Sequence, residues 1–126
     1  MPLWKLAVRA DFAAAHALRH YHGKCESTHG HNFAVETVVE GRNLNRDTEI
    51  LADFTDLKAD LRQVLASLDH QDLNKHPAFL QHNPSSENLA AYIFRELSPL
   101  VRARGVSLRQ VSVSENASQT ATYLEE

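Results

Sequence analysis

The chain has 126 residues, eight histidines, a single cysteine and a formal net charge of −3. We expect one domain, because a chain of this length buries roughly two-thirds of its unfolded surface in a single core. No apolar run approaches the ~20 residues of a membrane span, and the first residues lack the layout of a signal peptide. The negative charge argues against non-specific nucleic-acid binding, which needs a basic surface. One cysteine cannot form an internal disulfide, so a reducing cytoplasm is the expected location.

Two long strands are predicted in the first third of the chain. Over residues 3–16 and again over 29–41, apolar and polar side chains alternate, which is typical of a strand with one buried face. The apolar face of the first strand is Trp4, Leu6, Val8, Ala10, Phe12, Ala14 and His16. One face of the second strand is His29, His31, Phe33, Val35, Thr37 and Val39. The polar segment 20–28 is predicted to be the loop between them.

The middle of the chain predicts a turn, a short strand and a helix. Residues 42–47 are rich in Asn, Asp and Arg and indicate a turn, and a short strand is expected at 50–52. Thr55 is a plausible N-cap of an amphipathic helix that extends to about Leu68. Residues 69–84 are predicted to form a loop.

The last third of the chain predicts a second helix and two strands. Ser85 or Ser86 is the expected N-cap of the helix, and Pro99 is expected to kink or end it. A strand follows over 106–114 and a last short strand over 120–124. In the first of these, one face is expected to carry Val106, Leu108 and Gln110.

This order of elements predicts the α+β class. Two amphipathic helices can cover one face of a four-stranded antiparallel sheet. The long edge strands of such a sheet invite pairing with another chain. We therefore expect an oligomer in which the sheets of several subunits are continuous.

A metal site is predicted where the second strand begins. Side chains alternate along a strand, so His29 and His31 share one face. With His16 on the neighbouring strand they could hold Zn²⁺ with an open fourth position, which is the catalytic arrangement. The alternatives are solvated histidines in a turn and a metal that only staples the sheet. His20 and His22 form a second His-x-His pair and are the backup ligands.

Three further positions are candidates for chemistry. Cys25 is expected to be reactive, because Lys24 beside it favours the thiolate, although a lone cysteine is more often a small buried hydrophobe. Asp69 and His70 could orient and transfer protons together, or they could be two solvated side chains. Glu115 could accept two parallel N–H bonds from an amidine-like edge of a ligand, or it could be a solvated charge at a strand end.

Six short motifs follow one another along nearly the whole chain: Phe12-Ala13-Ala14-Ala15-His16, Cys25-x-x-x-His29-Gly30-His31-Asn32-Phe33, Asp53-Phe54-x-x-Leu57-Lys58, Leu68-Asp69-His70-x-x-Leu73-Asn74, Asn83-Pro84-Ser85-x-Glu87-Asn88-Leu89-Ala90 and Val113-Ser114-Glu115. Taken jointly and in this order they are specific, although no single motif is. The set resembles the 6-pyruvoyl-tetrahydropterin synthase family, which includes the bacterial 6-carboxy-tetrahydropterin synthases of queuosine biosynthesis.

The resemblance implies a T-fold, in which the sheets of several subunits form barrels that stack into a homohexamer with active sites at subunit interfaces. It implies Zn²⁺ on His16, His29 and His31, and 7,8-dihydroneopterin triphosphate as the substrate. The implied products are 6-carboxytetrahydropterin, acetaldehyde and triphosphate.

The resemblance also implies roles for individual residues. Cys25 would move protons on the substrate side chain, with Asp69 and His70 as its relay, in the same or another subunit. Glu115 would anchor the amino-pyrimidine edge of the pterin. The positions that are candidates for holding the triphosphate are Lys24, Arg19 and His22.

Two positions depart from the usual pattern of the family. Asn116 stands where relatives usually have Thr, which puts the contacts at that end of the pterin in question. Glu26 beside Cys25 resembles a bifunctional subgroup that also makes 6-hydroxymethyl-7,8-dihydropterin for folate. Glu26 could therefore act as a second catalytic base, or it could be a solvated charge on the loop.

Overall fold

The computed structural model describes residues 2–23 and 27–126, so the candidate site residues Lys24, Cys25 and Glu26 lie outside the described residues. These described residues form five strands and two α-helices. In chain order these elements are β1 (Trp4–His16), β2 (His29–Gly41), α1 (Phe54–Leu65), β3 (Gln71–Asp72), α2 (Ser86–Arg102), β4 (Ser107–Asn116) and β5 (Gln119–Tyr123). Two short turns of 3-10 helix, Leu73–Lys75 and Pro77–Phe79, precede α2.

The five strands form one mixed sheet in the order β3-β1-β2-β4-β5. The β1–β2, β2–β4 and β4–β5 pairs are antiparallel, as predicted. The predicted four-stranded sheet lacked β3, which pairs parallel to β1 through Ala14 and Ala15. A two-residue strand is too short to show any alternation in the sequence. It is a strand only through its pairing with β1.

The two helices lie on one face of the sheet, as predicted. The inward side chains of β1, β2 and β4 pack with the apolar stripes of α1 and α2 in one core. The alternation predicted for β1 and β2 is confirmed, with Phe12 and Phe33 stacked at a ring-centroid distance of 4.9 Å. Among the helices of the described residues, none has the length and apolar character needed to cross a membrane.

The start of α1 differs from the prediction. Residues 50–52 are not a strand, since Leu51 and Ala52 form a bend, and the helix begins at Phe54. The N-cap is Asp53, whose carboxylate accepts the amide N–H of Thr55 at 2.8 Å. An aspartate satisfies an unpaired amide of the first turn as well as a threonine does, so the sequence alone could not choose between them. The α-helix also ends at Leu65 and not near Leu68.

Helix α2 begins as predicted, with Ser85 accepting the amide N–H of Asn88 at 3.1 Å. The expectation was that Pro99 would kink or end α2. It does not end the helix, which continues to Arg102. A proline removes one N–H from the helix, and here the next turn closes when Ala103 N–H donates to Pro99 O at 3.2 Å. Buried Val101 keeps this last turn packed on the core.

A β-bulge changes which side chains of β4 face inward. Leu108 pairs with Val39 while Gln110 pairs with Val38, so Arg109 is an extra residue in the ladder. Such a bulge shifts the alternation by one position. The expectation that Gln110 would continue the inner face is therefore wrong. Instead, Val111 and Val113 are fully buried.

Candidate metal centre and its surroundings

The three histidines predicted as metal ligands meet at one end of the β1–β2 hairpin. The register places His16 directly opposite His29, and His31 lies opposite Ala14 on the same face. The ring centroid of His16 lies 4.6 Å from that of His29 and 5.4 Å from that of His31. The centroids of His29 and His31 are 4.8 Å apart. One nitrogen of each ring lies within 4.8 Å of the other two. We call this group the histidine cluster.

Backbone carbonyls fix how two of these rings present their nitrogens. His16 Nδ1 lies 2.7 Å from Pro84 O, and His29 Nδ1 lies 2.7 Å from Ser27 O. A carbonyl oxygen can only accept, so each Nδ1 carries the proton and each Nε2 keeps a free lone pair. Partners of this kind orient the histidine ligands of a metal.

His16 provides the test of whether a metal fits. Its side chain is 1% exposed, and its Nε2 is a buried polar atom with no hydrogen-bond partner among residues 2–23 and 27–126. Burial lowers the pKa of His16, which keeps the imidazole neutral and the lone pair available. A buried acceptor without a partner is costly. A cation bound between the three imidazoles would satisfy it, so the residues present fit a metal ion.

Glu115, near the end of β4, faces the same cluster. Its Oε1 lies 3.5 Å from His16 Nε2 and its Oε2 lies 3.5 Å from His31 Nε2. The hydroxyl of Ser86 donates to Oε1 at 3.4 Å. The Glu115 side chain is 20% exposed, so it is mostly removed from water.

Glu115 also lines a cavity of about 320 Å³. The wall on one side is the start of α2, and on the other it is formed by β5 and the segment after β1, with Leu18 and Tyr21. Sites for small molecules have volumes of roughly 300–1,000 Å³ and combine apolar walls with a few polar groups. The structure therefore brings together the histidine cluster, an acidic side chain and a cavity of suitable size.

Asp69 and His70 form a pair beside β1, at the edge of this strand that does not pair with β2. His70 Nδ1 lies 3.0 Å from Asp69 Oδ1. The backbone fixes this pair, since Ala13 N–H donates to Asp69 Oδ1 at 2.9 Å and His70 N–H donates to Ala13 O at 2.6 Å. The hydrogen bond from Ala13 lowers the pKa of Asp69 and keeps it ionised. The side chains of residues adjacent in sequence do not always touch. Here the contact between Asp69 and His70 occurs together with a left-handed backbone conformation at His70 (φ 59°).

The Asp69–His70 pair remains open to solvent. The His70 side chain is 81% exposed, and it lines a shallow cavity of about 580 Å³ that His31 also borders. Within residues 2–23 and 27–126, no hydrogen bond, ion pair or ring contact joins Asp69 or His70 to the histidine cluster. His20 and His22, the backup ligands, are exposed and are not part of the cluster.

Two asparagines, each a member of one of the sequence motifs, hold the segment after His16. Asn74 Oδ1 accepts Ala17 N–H at 2.8 Å, and its Nδ2 donates to Ala17 O at 2.9 Å. Asn83 makes the same pair of bonds with Arg19, at 2.9 and 3.0 Å. Each side-chain amide thus bonds both the N–H and the C=O of one residue, as the backbone of a neighbouring strand would. No pattern in the sequence marks such pairing, because it depends on where the tertiary fold brings the loop.

Arg19, a candidate for binding the triphosphate, is part of the same arrangement. Its guanidinium donates to His82 O at 3.0 Å and to Asn74 O at 3.2 Å. These bonds tie the loop before α2 to the segment that follows β1. The guanidinium therefore has a structural role in the chain as described.

Comparisons with known proteins agree with this geometry. The family model of 6-pyruvoyl tetrahydropterin synthase matches residues 5–126. The chain is 34% identical over 125 residues to 6-carboxy-5,6,7,8-tetrahydropterin synthase of Synechocystis, covering 96% of this chain and 93% of that protein. It is 38% identical over 89 residues to dihydroneopterin monophosphate aldolase of Pyrococcus furiosus, covering 71% and 70%.

The solved structure of Caenorhabditis elegans 6-pyruvoyl tetrahydropterin synthase superposes on the whole chain. The TM-score is 0.86 at 27% identity, and 98% of that structure is covered. The similarity therefore extends from the sequence motifs to the arrangement of the sheet and both helices. The chain belongs to the 6-pyruvoyl tetrahydropterin synthase family and has its T-fold.

Proposed function

We propose that this protein is a zinc-dependent 6-carboxy-5,6,7,8-tetrahydropterin synthase. It converts 7,8-dihydroneopterin triphosphate and one water to 6-carboxytetrahydropterin, acetaldehyde and triphosphate, for the synthesis of queuosine and related 7-deazaguanines. The observation that carries the proposal is the buried Nε2 of His16, which has no hydrogen-bond partner in the described part of the chain. It lies in a group of three imidazoles, beside a cavity that Glu115 lines. The name of the Synechocystis relative, which aligns with nearly the whole chain, supports this choice of product.

The metal would be held by His16, His29 and His31. Three neutral imidazoles suit Zn²⁺, and three protein ligands leave a position for substrate, as in catalytic zinc sites. When bound, zinc supplies a Lewis acid that polarises side-chain oxygens of the substrate and stabilises the enolate-like charge left when a C–H proton departs.

Glu115 would hold the pterin in the 320 Å³ cavity. Its carboxylate can accept two parallel N–H bonds from the amino-pyrimidine edge, which is the strong bidentate form of this contact. Asn116 follows it in place of the usual Thr of the family. We therefore expect the contacts beyond Glu115 at this end of the pterin to differ from those of relatives.

Cys25 would remove and return protons on the substrate side chain through its Sγ. Asp69 accepts from His70 Nδ1 and stabilises the protonated ring, which leaves His70 Nε2 as the atom that exchanges protons. His70 is exposed, and within residues 2–23 and 27–126 no hydrogen bond or ion pair joins it to the cluster. We infer that it serves the site of a neighbouring subunit in a homohexamer.

A second candidate product set follows from other relatives. The P. furiosus relative is named an aldolase, and a Drosophila melanogaster relative, 31% identical, is named 6-pyruvoyl tetrahydrobiopterin synthase. If Glu26 acts as a second base, the chain would also form 6-hydroxymethyl-7,8-dihydropterin for folate. If carbon–carbon cleavage does not occur, it would form the pyruvoyl product.

Product identification tests the choice. Zinc-loaded protein is incubated with 7,8-dihydroneopterin triphosphate, the pterin is identified by mass spectrometry, and acetaldehyde is assayed in the same reaction. We expect 6-carboxytetrahydropterin and acetaldehyde in equal amounts. A pyruvoyl product without acetaldehyde would contradict the proposal, and a hydroxymethyl product that disappears in Glu26→Gln would establish the second activity.

Metal removal separates the enzyme from a protein in which zinc only staples the sheet. A structural metal contributes folding free energy, whereas a catalytic metal chiefly sets the rate. We expect the chelated protein to keep its circular dichroism spectrum and to lose turnover, and added zinc to restore it. Unfolding on chelation would favour the non-catalytic alternative.

A further inference from the structure

Glu115 and the histidine cluster are arranged in a way that the pterin-anchoring role does not explain. The carboxylate places one oxygen 3.5 Å from His16 Nε2 and the other 3.5 Å from His31 Nε2. Anchoring a pterin edge requires the carboxylate to face the cavity. It does not require it to approach two imidazole nitrogens at once.

These two contacts are not hydrogen bonds. His16 donates its Nδ1 proton to Pro84 O, so its Nε2 is an acceptor, and an ionised carboxylate is also an acceptor. The distance of 3.5 Å exceeds the roughly 2.7–3.2 Å of a hydrogen bond. Among the described residues, His16 Nε2 accordingly has no hydrogen-bond partner. Two acceptors that face each other away from water are unfavourable unless a cation or a proton lies between them.

The separation matches that of two ligands on one ion. Zinc bonds to nitrogen and oxygen are about 2.0–2.1 Å long, so neighbouring donors of a tetrahedral site are about 3.3 Å apart. The distances from the Glu115 oxygens to His16 and His31 are close to this value. The hydroxyl of Ser86 holds Oε1 in this orientation.

We propose that Glu115 is the fourth protein ligand of the metal ion in the substrate-free enzyme. The proposal rests on the metal site of the proposed function and adds a second role for the residue that holds the pterin. One carboxylate would then close the ion site at rest and turn to the cavity when substrate arrives. Substrate oxygens would take the position that it leaves.

Metal affinity tests this proposal without any pterin. Zinc is removed, and the affinity of wild type and Glu115→Gln is measured by competition with a chromophoric chelator. Even outer partners of ligands change metal affinity by roughly 10- to 100-fold, so we expect Glu115→Gln to lose at least about tenfold. Glu87→Gln is the matched control, because exposed Glu87 lines the same cavity and carries the same charge. It should bind zinc as wild type does.

A crystal structure of the wild-type, zinc-loaded and substrate-free protein gives the second readout, which no variant can compromise. We expect a Glu115 oxygen about 2.0–2.2 Å from the ion. A water or the Cys25 sulfur in that position, or equal zinc affinities of wild type and Glu115→Gln, would overturn the proposal. Because neither measurement involves turnover, failure here leaves the proposed reaction standing, and an inactive protein could still show this ligand.

Discussion

The histidine cluster and the Asp69–His70 pair flank the last residues of β1, but the chain holds them in different ways. His16 is 1% exposed and its ring is fixed by Pro84 O. His70 is 81% exposed, and within the described part of the chain its ring contacts Asp69. The cluster thus has one buried and two partly buried histidines within one chain, whereas the pair faces an open cavity. We therefore expect that one subunit can bind the ion alone, and that the proposed proton transfer would need a second subunit.

The largest expected effect comes from removing a proton-transfer group, which should lower turnover and leave the metal ion bound. General acid–base groups contribute roughly 10²- to 10⁴-fold to rate, so Cys25→Ala and His70→Gln should each lower kcat by about that factor. Zinc content should stay at the wild-type level, since the proposed ligands are His16, His29 and His31. Steady-state kinetics and metal analysis measure both. His82→Gln, at an exposed histidine of the loop before α2, is the control and should keep full turnover.

Mixing the two inactive variants tests whether the pair acts on another subunit. If the proposed hexamer assembles from equal amounts of both chains, about a quarter of its interface sites would combine an intact Cys25 with an intact His70. We therefore expect about a quarter of wild-type turnover to return. Mixtures that stay as inactive as the separate variants would show that Cys25 and His70 of the same chain act together.

A smaller effect is expected from the asparagines that hold the segment after His16. Asn83→Ala removes two hydrogen bonds to the backbone of Arg19 and leaves those groups without partners. Losses of this kind cost roughly 1–3 kcal/mol. Urea unfolding of the metal-free protein should show it. Asn43→Ala, at an exposed turn position, should stay within about 0.5 kcal/mol of wild type, and an equal loss in both variants would contradict the role of Asn83.

The smallest effect concerns pH, and it separates the buried histidine from the exposed ones. Burial lowers the pKa of His16 below its ordinary value of 6.5 in the folded state. The unfolded chain therefore takes up this proton first, and the His16 contribution to stability declines as pH falls below 6.5. Metal-free wild type should lose stability there in denaturant titrations. His16→Gln should show a weaker slope, and His82→Gln should match wild type; an unchanged slope in His16→Gln would argue against this account.

The sequence predicted the elements that depend on side-chain alternation. The faces of β1 and β2 follow from alternating residues, which put His16, His29 and His31 on the core side. The long antiparallel pair then placed His16 opposite His29. The meeting of these three histidines needed little else, which is why it could be predicted.

What the sequence did not predict depends on particular tertiary contacts. The bulge at Arg109 moves Val111 and Val113 inward, and no residue type at that position requires it. The approach of Glu115 to the histidine cluster follows from this shifted strand and from the packing of α2 beside it. The asparagine bonds to Ala17 and Arg19 likewise arise only when separate loops meet.

The β1–β2 hairpin is expected to supply three ligands of one ion, and zinc titration of the metal-free protein tests this most directly. Bound zinc is counted per chain for wild type and for the triple variant His16→Gln, His29→Ala, His31→Ala, with folding checked by circular dichroism. We predict one tightly bound ion per wild-type chain and none for the folded triple variant. Unchanged zinc binding by the triple variant, or no tight binding by wild type, would contradict the account.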